Sequence, residues 1–132
     1  MMVVDASCLF DLVTGTRASE AIRTRIATED QIAPHVVDVE VFSVIRRDFR
    51  RGRLDRTAAG QAIEDLAAWP GQRIGHRLLL ARAWELRDNV RGWDAMYVAL
   101  AEALDAVLIT ADRRLAAAPG PRCAIEVVPD SA

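Results

Sequence analysis

At 132 residues the chain has the length of one domain and too little material for two well-packed ones. It is still long enough to bury roughly two-thirds of its extended-chain surface without disulfide or metal staples. Its 52% hydrophobic and 27% charged residues describe a folded globular protein, and no apolar run approaches the ~18 residues of a membrane span. The net charge of −2 argues against a surface that binds nucleic acid indiscriminately. All 17 basic residues are arginine, which excludes chemistry that needs an amine, such as P-loop phosphate binding or a Schiff base.

The opening Met1-Met2-Val3-Val4-Asp5 carries a charge where a signal peptide needs an apolar stretch, so a cytoplasmic protein is expected. Cys8 and Cys123 lie far apart without metal-type spacing; reduced, buried thiols are the plainer reading and a single disulfide the other. Short apolar runs predict buried strands at Met2–Asp5, Gln31–Ala33, Ala106–Thr110 and Ala124–Val128, with an edge strand near Arg73-Ile74. Between them the pattern predicts helices over Ser7–Val13, Ala18–Thr28, Val36–Arg51, Thr57–Trp69, Arg77–Asn89, Ala95–Leu104 and Arg113–Ala117. Tyr97, Leu100, Ala101 and Leu104 form a core-facing stripe, and Ala95 and Ala99 allow close packing. No repeat or linker interrupts the chain, so residues 1–132 are expected to form a single domain. Alternating strands and helices, with strands apolar on both faces, specify a three-layer α/β/α fold around a mostly parallel sheet of four to five strands.

Four carboxylates fall where such a sheet builds its sites, at the C-terminal ends of strands. Asp5 ends the first strand, Asp112 follows Val107-Leu108-Ile109-Thr110, Asp94 opens a helix, and Glu40 lies about one and a half turns into another. Singly, Asp5, Asp94 and Asp112 are sensible helix caps and Glu40 a solvated helix residue. Together they would repel one another and so must take up protons or share a cation. An all-oxygen set selects a hard ion, Mg²⁺ or Mn²⁺, which promotes phosphodiester hydrolysis without a lysine or a covalent nucleophile.

These residues sit in blocks that resemble the PIN-domain ribonucleases, with the nearest likeness to VapC-type toxins of toxin–antitoxin pairs. The blocks are Val3-Val4-Asp5-Ala6-Ser7; Ala33-Pro34 followed by Glu40; Trp93-Asp94-Ala95-Met96-Tyr97-Val98-Ala99-Leu100-Ala101-Glu102; and Leu108-Ile109-Thr110-Ala111-Asp112-Arg113-Arg114-Leu115. The resemblance implies a PIN-like fold and a Mg²⁺- or Mn²⁺-dependent endoribonuclease that cuts a tRNA or ribosomal RNA and inhibits translation. It implies Asp5 and Asp94 as main metal ligands, Glu40 and Asp112 as the other two catalytic acids, and Ser7 and Thr110 as hydroxyls lining the site. It also implies a homodimer and a small VapB-type antitoxin, held in a groove between the early helices, Ser7–Val13 and Ala18–Thr28. Ala6 and Trp93 depart from the family's usual residues without removing an oxygen ligand.

Six arginines fall within residues 46–56. Arg46, Arg47, Arg50, Arg51 and Arg53 either decorate a solvated helix end around Gly52 or contact RNA or the antitoxin. His35 and His76 would permit metal-free acid–base cleavage only if brought together, and nothing in the sequence does so. Trp69, Trp84 and Trp93 are expected to be half-buried at helix ends, with base stacking the other reading. A PIN-like module that binds RNA or protein without cutting is the alternative from another functional class. A phosphatase or signalling receiver would lack its lysine.

Overall fold

The structure is a computed structural model and describes residues 1–129. Its centre is Met2–Val4 (β1), three consecutive apolar residues with no exposed surface, as a strand covered on both faces requires. Gln31–Pro34 (β2) pairs with it in parallel on one side and Val107–Thr110 (β4) on the other. Gln72–Ile74 (β3) and Ile125–Val127 (β5) add parallel strands at the edges, so the order is β3-β2-β1-β4-β5. This is the expected α/β fold with a parallel sheet of five strands.

Ala6–Thr14 (α1) and Ser19–Ile26 (α2) join β1 to β2, and Val36–Arg50 (α3) and Arg56–Ala68 (α4) join β2 to β3. The chain then turns back through Leu80–Glu85 (α5) and Gly92–Leu104 (α6) to β4, and Arg113–Ala117 (α7) leads to β5. Because the strand order reverses direction at β1, the β1–β4 boundary is the topological switch point. Helices α1, α3 and α4 pack on one another, α5 packs on α6, and α6 lies on β1 and β2. Right-handed crossovers put the first group and the second on opposite faces of the sheet.

The α6 stripe is wider than its periodicity suggests. Ala95 and all of Tyr97–Ala101 are buried, because the helix lies across the sheet, whereas Leu104 at its end is 40% exposed. The helix expected over Arg77–Asn89 is shorter. A 3₁₀ turn at Arg77–Leu79 precedes α5, and after Glu85 the amides of Leu86, Arg87 and Asn89 bond three residues back, to Ala83, Trp84 and Leu86, which converts the helix to turns. The tryptophans also differ from expectation. Trp69 is buried and donates its indole N–H to Gln31 Oε1 at 2.6 Å, whereas Trp84 is largely exposed beneath the Arg87 guanidinium and Trp93 is 62% exposed. Cys8 is buried in the core and Cys123 partly buried, both as free thiols. Among the described residues no helix is long and apolar enough to cross a membrane.

Candidate active site

Asp5 leaves the C-terminal end of β1 and caps α1, its backbone N–H bonding across to Ile109 of β4 at 3.0 Å. Its carboxylate is only 5% exposed and is held by three donors. Oδ1 accepts from Ser7 Oγ at 2.5 Å and from the Cys8 amide at 3.2 Å, and Oδ2 accepts from Thr110 Oγ1 at 2.5 Å. The two hydroxyls are themselves fixed. Ser7 accepts the Ala111 amide at 2.9 Å, and Thr110 accepts the Asp112 amide at 3.0 Å. With two lone pairs on each oxygen, donors among the described residues fill three of Asp5's four acceptor positions and leave one on Oδ2. Burial pushes the Asp5 carboxyl up to about 6; the Ser7, Thr110 and Cys8 donors pull it down, and the negative charge of Asp94 adds to the rise.

Glu40, on the second turn of α3, accepts a 2.8 Å hydrogen bond on Oε1 from the Tyr97 hydroxyl of α6. Burial raises its carboxyl to about 7, opposed by Tyr97 and reinforced by Asp94 and Asp5. Asp94 lies in the first turn of α6, inside the helix that Arg91 caps rather than at its opening position. Its carboxyl is also raised, by burial first and then by Asp112, while Arg91 and Arg114 offset part of the rise. Asp5, Glu40 and Asp94 are thus mutually repulsive. Asp112 enters through Asp94, with which it shares a depression of about 120 Å³, while its Oδ1 caps α7 through the Arg114 amide at 2.9 Å. Among the described residues no three His, Cys, Asp or Glu side chains stand assembled as a ready metal cage. The donor chemistry nevertheless fits a hard divalent cation: every acidic group is an oxygen donor, Asp5 keeps a free acceptor position, and burial makes the unneutralised charges costly.

Tyr97 is the site residue that sequence reasoning missed. It falls on the core stripe of α6, and only a buried phenol's need for a hydrogen-bond acceptor hinted at more. Of the arginines, Arg47 lies two turns beyond Glu40 and lines a depression with it, Ser7 and Trp93. Its guanidinium lies 3.2 Å from Asp48, and Arg53 approaches the same carboxylate at 3.6 Å. Arg46, Arg50 and Arg51 are exposed around the end of α3, before Gly52 turns the chain at φ +74°. Contrary to the sequence reading, the histidines are neighbours, their ring centroids 6.4 Å apart. His76 Nε2 accepts the Val36 amide at 3.0 Å, which gives it a structural duty at the start of α3. On α1, which the resemblance makes one wall of an antitoxin groove, Leu9 is buried, while Phe10 and Val13 pack against the core from its margin.

The chain thus combines a parallel sheet with acidic side chains at and beside its switch point. The PIN domain family matches residues 2–121 of the chain. The protein named Ribonuclease VapC1 of Mycobacterium tuberculosis is 40% identical over 128 residues, covering 96% of each chain. Ribonuclease VapC3 of the same organism is 44% identical over 119 residues, covering 89% of this chain and 86% of that one. Among solved structures, PAE2754 from Pyrobaculum aerophilum superposes with a TM-score of 0.70 at 26% identity, over 96% of this chain and 83% of that one. The chain belongs to the PIN-domain family and, within it, to the VapC group.

Proposed function

We propose that the protein is a metal-dependent endoribonuclease acting as the toxin of a toxin–antitoxin pair in the cytoplasm. The observation that carries this reading is the set of mutually repelling carboxylates at the β1–β4 switch point, Asp5 buried and Glu40 and Asp94 half-buried, in a chain whose relatives are named ribonucleases. Asp5 and Asp94 would hold Mg²⁺ or Mn²⁺, with Glu40 and Asp112 completing the set directly or through water. When bound, such an ion activates water, holds the scissile phosphate and neutralises charge on the leaving oxygen. Ser7, Thr110 and the Cys8 amide orient the Asp5 carboxylate, and Tyr97 orients that of Glu40. Arg91 and Arg114 beside Asp94, and Arg47 in the Glu40 depression, supply cations for RNA phosphates.

The substrate on this reading is a tRNA or ribosomal RNA whose cleavage stops translation. The partners are a second copy of the chain and a VapB-type antitoxin. Exposed apolar side chains support partner surfaces, with Leu78 and Trp84 beside and on α5 and Val39 and Phe42 on α3. The test is incubation with total RNA and mapping of new ends. Cleavage is expected with Mg²⁺ or Mn²⁺ and none with EDTA or with folded Asp5→Ala or Asp94→Ala protein. Cleavage that survives both substitutions overturns the proposal. RNA retained uncut whether or not metal is present, and released by neutralising Arg46, Arg47 and Arg50, would instead identify a binding module.

A further inference from the structure

Trp93 stands immediately before Asp94 in the first turn of α6, yet its indole faces solvent, 62% exposed, where the core gains nothing from it. It forms part of the wall of two depressions. One, of about 710 Å³, is lined by Glu40, Arg91, Gly92, Asp94 and Met96. The other, of about 510 Å³, runs between α1 and α3 and includes Ser7, Phe10, Glu40 and Arg47. Trp93 and Glu40 are the residues common to both. Trp93 thus stands beside the acids, with Arg91 lining the first depression and Arg47, whose guanidinium pairs with Asp48 at 3.2 Å, lining the second.

We propose that Trp93 is a stacking platform for an unpaired nucleobase of the RNA, next to the phosphate that the acids address. A flat, exposed indole offers its face to any base, which is a sequence-tolerant way to hold a single strand. Arg91 and Arg47 line the two depressions that Trp93 borders and complement the charge of phosphates flanking that base. A base already stacked within a duplex cannot occupy the indole without being pulled out, so the platform selects loops and single strands. A peptide could use the apolar part of the second depression. Two arginines lining the depressions, and the adjacency of Trp93 and Asp94 in the chain, favour a polyanion whose backbone must pass the acids.

The inference rests on the nuclease reading, and the experiment separates the two. In Trp84→Phe protein, Trp93 is the exposed indole, since Trp69 is buried. With EDTA present, single-stranded RNA of about ten nucleotides should quench its emission, while a duplex of the same sequence should not. In cleavage assays Trp93→Ala and Trp93→Leu should raise KM roughly tenfold to a hundredfold, with Trp93→Phe recovering most of the loss. An RNA with one abasic position beside the cut should lose as much against the native protein and little more against Trp93→Ala. An unchanged KM in Trp93→Ala and Trp93→Leu, while Asp5→Ala abolishes cleavage, overturns the platform and leaves the nuclease standing. That result, with inhibition by an antitoxin lost in Trp93→Ala, would assign the indole to a protein partner. Quenching by single-stranded RNA in a protein that never cuts would do the reverse.

Discussion

At the scale of single residues, the chemistry turns on the cost of keeping Asp5 charged. Burial raises its carboxyl and three donors bring it back down to about 6. Thr110→Val keeps the shape of a buried residue and removes the donor to Oδ2, the only one among the described residues. The carboxyl should then rise further, moving the acidic limb of the pH–rate profile to higher pH and lowering kcat/KM about tenfold at neutral pH, as loss of a ligand's supporting hydrogen bond commonly does. An unmoved profile would show that Thr110 is packing alone. The same elevation governs stability without metal. Below about pH 4 both folded and unfolded chains carry the Asp5 proton. As pH rises the unfolded chain releases it first, so the stability contributed by the protonated carboxyl is lost as pH passes through about 6. For Glu40 the loss continues to about 7. Asp5→Asn removes that pH dependence. In EDTA its melting temperature should match the wild type near pH 4 and exceed it by several degrees at pH 8, a difference on the order of 1–3 kcal/mol. Calorimetry across that range checks it, and parallel curves for the two proteins would refute it.

At the scale of elements, β3 shows how a weak strand is held. Gln72-Arg73-Ile74 has no apolar alternation to recommend it, but the Arg73 side chain does what the pattern does not. Its guanidinium donates to the carbonyls of Leu66, Trp69 and Gly71 at 2.7–2.9 Å, pairs with Asp38 of α3 at 3.0 Å, and lies 4.8 Å from the Trp69 ring centroid. Gly71 is part of the same knot, because a Cβ there would come within 2.3 Å of the Trp69 ring, which is tied to Gln31 and cannot step aside. Gly71→Ala should cost about 1–3 kcal/mol and Arg73→Ala about 2–3 kcal/mol, the latter by leaving α4's last carbonyls and Asp38 without their donor. Both are read as lower urea midpoints, and a neutral Gly71→Ala would show that Trp69 has room to move. The same contrast explains what the sequence disclosed. β1, β4 and α6 were legible because their burial is written as apolar runs and 3.6-residue periodicity, and the acids were legible because they stand just past strand ends or within the first two turns of helices. Tyr97's bond to Glu40 spans 57 residues, and the His35–His76 contact joins two separate connections, so neither leaves a local trace.

At the scale of the whole molecule, the reversal of strand order at β1 decides where charge collects. The crossovers bring Asp5 and Asp112 to adjacent strand ends and lay α3 and α6 so that Glu40 and Asp94 approach from either side. On the proposed metal-dependent reading, a bound cation would relieve the repulsion among these acids and so stabilise the fold. At a metal concentration about a hundredfold above Kd, binding should add about 2.7 kcal/mol at pH 8, a rise of several degrees in Tm. At pH 5 the gain should be much smaller, because the protonated Asp5 and Glu40 must first give up their protons. Asp5→Asn should reverse its rank against the wild type, melting higher in EDTA at pH 8 and lower once Mn²⁺ saturates the wild type. Thermal melts of both proteins across an Mn²⁺ titration test this directly. A wild type indifferent to the ion at pH 8 would leave the carboxylates as helix caps and buried acids that proton uptake alone makes tolerable.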